Sequence, residues 1–195
     1  MTSIALLGTS ADPPTCGHQV LLEQLLLHYD QVVTWASDNP SKQHGLPLHQ
    51  RCDLLQALVD AIHDSRLELV QTLSSPWAIR TLELAEARWP NQRLHFVVGS
   101  DLVDQILRWK DSDALLQRCR LVVVPRQGWP LHPEALKPLQ AQGARINVLP
   151  LPVPGTASSS ARRDHDSTQV PAALRPLLQQ HGFYGFKATP DSAAP

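Results

Sequence analysis

Short apolar runs rich in branched residues recur along the chain, and longer segments of helical period separate them. Six runs read as strands, at residues 4–7, 32–36, 67–70, 94–98, 121–124 and 146–149. Three of the intervening segments carry a clear apolar stripe. Residues 17–29 place Val20, Leu21, Leu25 and Leu26 on one face, residues 49–62 do the same with Leu54, Leu55, Leu58 and Ile62, and residues 78–89 follow the pattern. Strand and helix in alternation predict βα units around a parallel sheet, and six strands suffice for an open, doubly wound, Rossmann-like α/β fold. After residue 98 the pattern loosens, with residues 102–107 and 114–116 reading as two short helices around Trp109. That irregularity predicts a binding edge. Residues 150–160, rich in Pro, Gly and Ser, read as a loop, and residues 171–180 as a small closing helix at the C-terminal end.

Composition narrows the picture. A chain of 195 residues that is 43% hydrophobic can bury one sizeable core, so a single domain over residues 1–185 is expected, with residues 186–195 as a flexible tail. With a formal charge of −1, nothing suggests a polybasic surface for nucleic acid or anionic lipid. Any anionic ligand must therefore meet locally placed groups. Cys16, Cys52 and Cys119 are far apart and show no CxxC spacing, which argues against a disulfide framework or zinc cluster and for a reducing compartment. No secretory leader pattern opens the sequence and no apolar stretch is long enough to span a membrane, so a cytoplasmic location without nucleic-acid or membrane partners is expected; a homo-oligomer stays open.

Three constellations carry candidate chemistry. The first follows strand one as Gly8-Thr9-Ser10-Ala11-Asp12-Pro13-Pro14-Thr15-Cys16-Gly17-His18 and runs straight into a helix. Ligands of open α/β sheets sit at such carboxyl strand ends, and a fresh helix start presents unpaired amides suited to phosphate. Neither GxxxxGK[ST] nor GxGxxG occurs. Thr15 and His18, three apart, can share a face toward phosphate; alternatively His18 is an ordinary first-turn residue. The second is Ser158-Ser159-Ser160-Ala161-Arg162-Arg163, where a serine can cap a short helix while an arginine reaches an anion. A solvated serine-rich linker is the other reading. The third is Gly99-Ser100-Asp101 at the end of strand four, with Trp109 eight residues beyond, either a ring platform or a core aromatic.

Together these segments resemble the T/HxGH nucleotidyltransferases, and most closely the bacterial nicotinate-nucleotide adenylyltransferases. Thr15-Cys16-Gly17-His18, preceded by Asp12-Pro13-Pro14, is similar to GGTFDPPHxGH, with Thr9 and Ala11 departing from it. Ser158-Ser159-Ser160 aligned with ISSTxIR makes Arg163 the phosphate-binding arginine and Arg162 its rival. Gly99-Ser100-Asp101 with Trp109 is similar to the G-A/S-D…W segment, in which the aspartate binds ribose and the tryptophan stacks on the pyridine. The segment from Ser75 to Leu82 resembles a diverged SYTIDTL, with Trp77 and Thr81 near the pyridine and Arg80 in place of an aspartate. Lys42 stands where the family lysine approaches phosphate, Arg126 ends a strand similar to VVPRPG, and His181-Gly182-Phe183-Tyr184-Gly185 resembles HGLYG. His44, His49, His63 and His132 lack metal-ligand spacing and suit surface or packing roles.

The resemblance implies transfer of AMP from ATP to a pyridine mononucleotide with release of pyrophosphate. Gly8, Thr9, Ser10, Gly17, His18, Ser158, Ser159 and Arg163 would bind ATP, with His18, Thr15 and Arg163 acting on the reacting phosphates. Lys42, Trp77, Thr81, Gly99, Asp101, Trp109 and Arg126 would bind the pyridine nucleotide. Mg2+ would come in on the ATP phosphates, without a protein ligand set. A nicotinate carboxylate needs backbone donors or a nearby cation, for which Arg80 and Arg126 are candidates; Arg80, beside the pyridine segment, predicts preference for the nicotinate acceptor. Two alternatives share the phosphate motifs: a phosphopantetheine-type acceptor, or a non-catalytic nucleotide-sensing module.

Overall fold

The computed structural model describes residues 1–39 and 42–187; the tail expected at 186–195 therefore lies mostly outside the described residues. Six parallel strands form one sheet in the order β3-β2-β1-β4-β5-β6, with β1 Ser3–Thr9, β2 Gln31–Ala36, β3 Leu67–Leu69, β4 Arg93–Gly99, β5 Arg120–Val124 and β6 Arg145–Val148. Each predicted strand is present within a residue or two. Four strands are apolar almost throughout because both sheet faces are covered. Ala5 and Leu7 pack on one side with α1 (Cys16–Leu26), α2 (Leu48–Ile62) and the C-terminal segment, while Ile4 and Leu6 pack on the other with α3 (Ala78–Arg88) and α4 (Ser112–Arg118). Burying one such leucine contributes about 1.5–3 kcal/mol, so these two layers are the main source of stability.

A helix that the apolar spacing does not predict, α5 (Pro133–Ala141), joins β5 to β6. Pro133 sits at its first positions, where a missing amide costs nothing, but Pro138 inside it disguises the pattern. The loosened stretch after β4 does hold two short helices around Trp109, a nine-residue 3-10 helix, Ser100–Arg108, and α4, each longer than the apolar pattern marks. The closing helix is divided into a 3-10 turn, Ala172–Leu174, and α7 (Arg175–His181), which ends on Gly182 at a φ of 61°, a left-handed position that favours glycine. Within the expected loop, α6 (Ser158–Asp164) begins at the first of the three serines, directly after Ala157. No helix among the described residues is long and apolar enough to cross a membrane.

The strand order reverses direction at β1, which lies between β2 and β4. At such a switch point the loops leaving adjacent strands part in opposite directions and open a crevice at their carboxyl ends. The fully buried Arg51 of α2 holds this rim together. Its guanidinium donates to the carbonyls of Ser10 and Ser37 at 2.7 and 2.8 Å, tying the loop after β1 to the loop after β2, and its Nε donates to Leu46.

Candidate active site

A cleft of about 960 Å3 opens at the carboxyl ends of β1 and β4. On one side stands the first turn of α1. The Thr15 amide donates to His18 Nδ1 at 3.0 Å, so that nitrogen carries no proton and the ring presents Nε2–H as its remaining donor. Burial, then the charges of Arg126 and Lys42, push the His18 pKa down to about 4, and the imidazole is neutral at ordinary pH. Thr15 itself is fully buried, with its hydroxyl against His18 Nδ1 at 2.8 Å, and does not line the cleft. It orients the histidine; it does not reach a phosphate beside it.

The loop before α6 closes over the same turn. Gly17 donates its amide to Thr156 Oγ1 at 2.8 Å, and a Cβ on Gly17 would stand 2.7 Å from that oxygen and 2.9 Å from the Pro154 carbonyl. Glycine is therefore required by the close approach of two loops, and its amide is already engaged. Gly8 has a similar constraint, since a Cβ there would meet the Trp35 ring at 2.7 Å. Ser158 donates its hydroxyl to the Pro13 carbonyl at 2.8 Å, where the sequence suggests a helix cap. Asp12, 2% exposed, gathers the neighbouring segments: its carboxylate accepts from Tyr184 Oη at 2.7 Å, from the Gly45 amide at 2.8 Å and from the Arg162 guanidinium at 3.1 Å. Arg162 also donates to the Asp12 carbonyl. Burial and the Asp12 carboxylate push the Tyr184 pKa well above its usual range, which keeps it a donor.

The opposite side of the cleft is aromatic and more open. Trp77 is 49% exposed, and Lys110 Nζ sits 4.2 Å from the centre of its ring, within cation–π range. Trp109 is half-buried, packed on the core yet facing the cleft, so the two sequence readings of it combine. Asp101 Oδ2 accepts from Arg126 at 2.9 Å, while its Oδ1 is buried without a partner among the described residues. A buried carboxylate oxygen of this kind calls for a donor such as a ribose hydroxyl. Gly99 permits the arrangement, since a Cβ would lie 2.3 Å from Asp101 Oδ1 and 2.7 Å from the Arg126 side chain. Lys42, Arg108, Lys110, Arg126 and Arg162 line the cleft against Asp12, Asp38 and Asp101, and a surplus of cations favours anionic ligands.

Residues 6–165 match the family described as cytidylyltransferase-like. A protein of Synechocystis sp. described as a probable nicotinate-nucleotide adenylyltransferase is 33% identical, over 93% of this chain and 98% of the relative. The chain belongs to the nicotinate-nucleotide adenylyltransferase family. A nicotinate-nucleotide adenylyltransferase of Bacillus subtilis is 27% identical over 94% of this chain and 99% of the relative. The crystal structure of the Plasmodium falciparum nicotinic acid mononucleotide adenylyltransferase complexed with NaAD has the same fold, with a TM-score of 0.77 at 16% identity over 96% of this chain and 99% of that one.

Most of the family positions converge on the cleft. Gly8, Thr9, Ser10, Gly17, His18, Ser158 and Ser159 line one side, and Lys42, Trp77, Thr81, Gly99, Asp101, Trp109 and Arg126 the other. Thr81 is held there by its hydroxyl donating to the Leu73 carbonyl at 2.8 Å. Two expectations need correction. Arg163 is exposed, pairs with Asp164 at 2.9 Å and lies outside the cleft, whereas Arg162 lines it. The cause is a one-residue shift in register, because Ala161, fully buried, takes the apolar position that the alignment gave to Arg162. Arg80 is exposed on the far side of α3, paired with Glu83 at 3.0 Å, and does not approach Trp77's ring. The sequence also gives no sign of Arg51, Lys110 and Thr156, and assigns His44 a surface or packing role. His44 instead lines the cleft, its Nε2 buried with no partner among the described residues and its Nδ1 3.6 Å from Asp12. None of these carries a sequence signal, since each depends on loops that meet only in space.

Proposed function

We propose that this chain transfers AMP from ATP to the phosphate of nicotinate mononucleotide, with the acceptor phosphate oxygen forming the new bond to the α-phosphorus as the bond to pyrophosphate breaks. The acceptor phosphate is already an adequate nucleophile, so the protein supplies position and charge, with no enzyme base. The observation that carries the reading is the neutral His18 ring, fixed by the Thr15 amide with Nε2–H left to donate at the start of α1. That donor is preorganised where negative charge builds on the transferring phosphate. Arg162, Ser158 and Ser159 then meet the β and γ phosphates, Asp101 the acceptor ribose, and Trp77 with Trp109 the pyridine.

Nucleotidyl transfer from ATP calls for a divalent metal, and here Mg2+ is the fitting ion. The described residues hold no group of three or more potential ligands, and Asp12 and Asp101 are engaged with arginines. The donor set therefore suits an ion carried on phosphate oxygens and water, which neutralises charge on the triphosphate when bound. Residues 1–185 act as one nucleotidyltransferase domain, and the free thiols of Cys16, Cys52 and Cys119 suit the reducing cytoplasm. The deciding assay supplies ATP and Mg2+ with nicotinate or nicotinamide mononucleotide and follows dinucleotide and pyrophosphate together. Stoichiometric formation of both with the nicotinate acceptor is expected; no product from either acceptor defeats the reading.

A further inference from the structure

At the amino ends of the strands, on the opposite side of the molecule from the cleft, lies a second cavity of about 360 Å3. Register explains its composition. His95 lies opposite Arg120, and Arg120 opposite Arg145, in neighbouring parallel strands. Residues two apart on a strand share a face, so Arg93, His95, Arg120 and Asn147 all stand on one side of the sheet. Arg93, His95, Arg120, Asn147, Tyr29 and His28 line the cavity, and none of its lining residues is acidic.

These groups are poorly matched by their surroundings. The exposed Arg120 guanidinium makes no hydrogen bond or ion pair among the described residues, and that of Arg93, also exposed, donates to the Met1 carbonyl at 3.3 Å and acts at longer range on the Asp30 carboxylate. The nearest carboxylate, Asp30, accepts from the amide and hydroxyl of Ser3 at 2.8 and 2.7 Å and lies at the exposed rim. His95 packs its ring 4.8 Å from that of Tyr29, and its Nδ1 is buried with no partner among the described residues. Tyr29 and Asn147 stand beside it in the cavity lining. A buried imidazole nitrogen without a partner among the described residues is costly unless a ligand supplies one, and the exposed guanidinium groups of Arg120 and Arg93 stand beside it to hold an anion.

We propose that this cavity binds a small anion of the phosphate class, either free phosphate or the phosphate of a metabolite, between Arg93, Arg120 and the His95 imidazole. Burial, with the charges of Arg120 and Arg93, holds His95 below the usual histidine range. A bound dianion opposes both charge effects, so its binding is accompanied by proton uptake at His95. Six steps of β4 separate Arg93 from Gly99, roughly 20 Å, so the site does not overlap the nucleotide cleft.

The test follows the His95 imidazole by NMR, assigned by its loss in His95→Gln, through pH titrations with inorganic phosphate, with a nucleoside monophosphate, and with chloride at matched ionic strength. Phosphate or the monophosphate should raise the His95 pKa saturably, and Arg120→Gln should weaken that response at least about tenfold while leaving nucleotidyl transfer unchanged. Whichever ligand half-saturates at lower concentration identifies the source of the phosphate. An unchanged His95 titration relative to chloride, or an equal response in Arg120→Gln, overturns the proposal. Arg93→Gln provides the same comparison from the neighbouring strand.

Discussion

The two walls of the cleft are built on different principles. The α1 wall is interlocked: Thr15 is fully buried, His18 is held by a backbone amide, Gly17 is pinned under Thr156, and Asp12 joins three segments far apart in sequence. The aromatic wall is loosely held, with Trp77 half-exposed and its nearest cation, Lys110, on a flexible stem. A donor aimed at charge that develops during reaction is effective only if it needs no reorganisation, whereas a ring platform tolerates adjustment as substrate binds. Substitutions on the first wall should therefore lower kcat, and those on the second should act mainly through KM.

The largest effect is expected at His18. His18→Ala removes one preorganised donor and should reduce kcat by about 10²–10³-fold with little change in KM. Near-normal turnover would show that the interlocked wall is not where the chemistry occurs. The same residue makes a stability prediction. Unfolded histidine takes up a proton near pH 6.5, but folded His18 does so only near pH 4, so the unfolded state binds more protons between these values and stability falls as pH drops through that window. Wild type should lose up to about 2 kcal/mol more than His18→Gln between pH 7 and pH 5, measured by denaturant unfolding at each pH.

Arg162 comes next. Arg162→Ala should weaken ATP binding and slow turnover by roughly 30-fold or more, the scale of a hydrogen bond to a charged group, while Arg163→Ala stays within about twofold. The reverse ranking, in steady-state kinetics with varied ATP, would restore the other register. Tyr184→Phe should have a smaller effect of the same kind. It removes one of the donors to a buried carboxylate, costing about 1.5–3 kcal/mol of stability, and loosens Arg162 through their shared partner, raising KM for ATP. Thermal unfolding together with ATP titration separates this from a stability effect alone, in which KM would not move.

How these residues were legible in the sequence follows the same division. The sheet, its six strands and the phosphate loop are local features, written in apolar periodicity and in a contiguous motif from Asp12 to His18. Nearly every family position on either wall also lines the cleft, because those residues sit at carboxyl strand ends that the strand pattern already marks. Three things were not legible. The register of α6 turns on which residue enters the core, and Ala161 is too small to declare itself in a run of serines and arginines. Thr15 matches the motif but is needed behind the histidine instead of beside it. Arg51, a lone arginine in a helical pattern, reads as a solvated charge, yet it is 1% exposed and clamps two loops through the carbonyls of Ser10 and Ser37.

The smallest expected effect concerns acceptor choice on the open wall. Nicotinate mononucleotide carries a carboxylate that the nicotinamide form lacks, so discrimination needs a cation near the ring. Arg80 and Arg126 are the sequence candidates, but Arg80 is exposed and paired with Glu83 on the solvent side of α3, and Arg126 is engaged by Asp101. Lys110 is better placed, with its ammonium 4.2 Å from the Trp77 ring that would face the pyridine. The charge is carried on an exposed side chain and partly screened, so its contribution to discrimination should be about 1 kcal/mol, a factor of roughly five in kcat/KM. Comparing the two acceptors in wild type, Lys110→Ala and Arg80→Ala should show the nicotinate preference reduced by that factor in the first variant and unchanged in the second. Loss of preference in Arg80→Ala alone would mean that α3 turns its outer face inward when substrate binds. An unchanged preference in Lys110→Met, which keeps the stem over Trp77 and removes only the charge, would assign the discrimination to backbone donors at the end of the 3-10 helix instead.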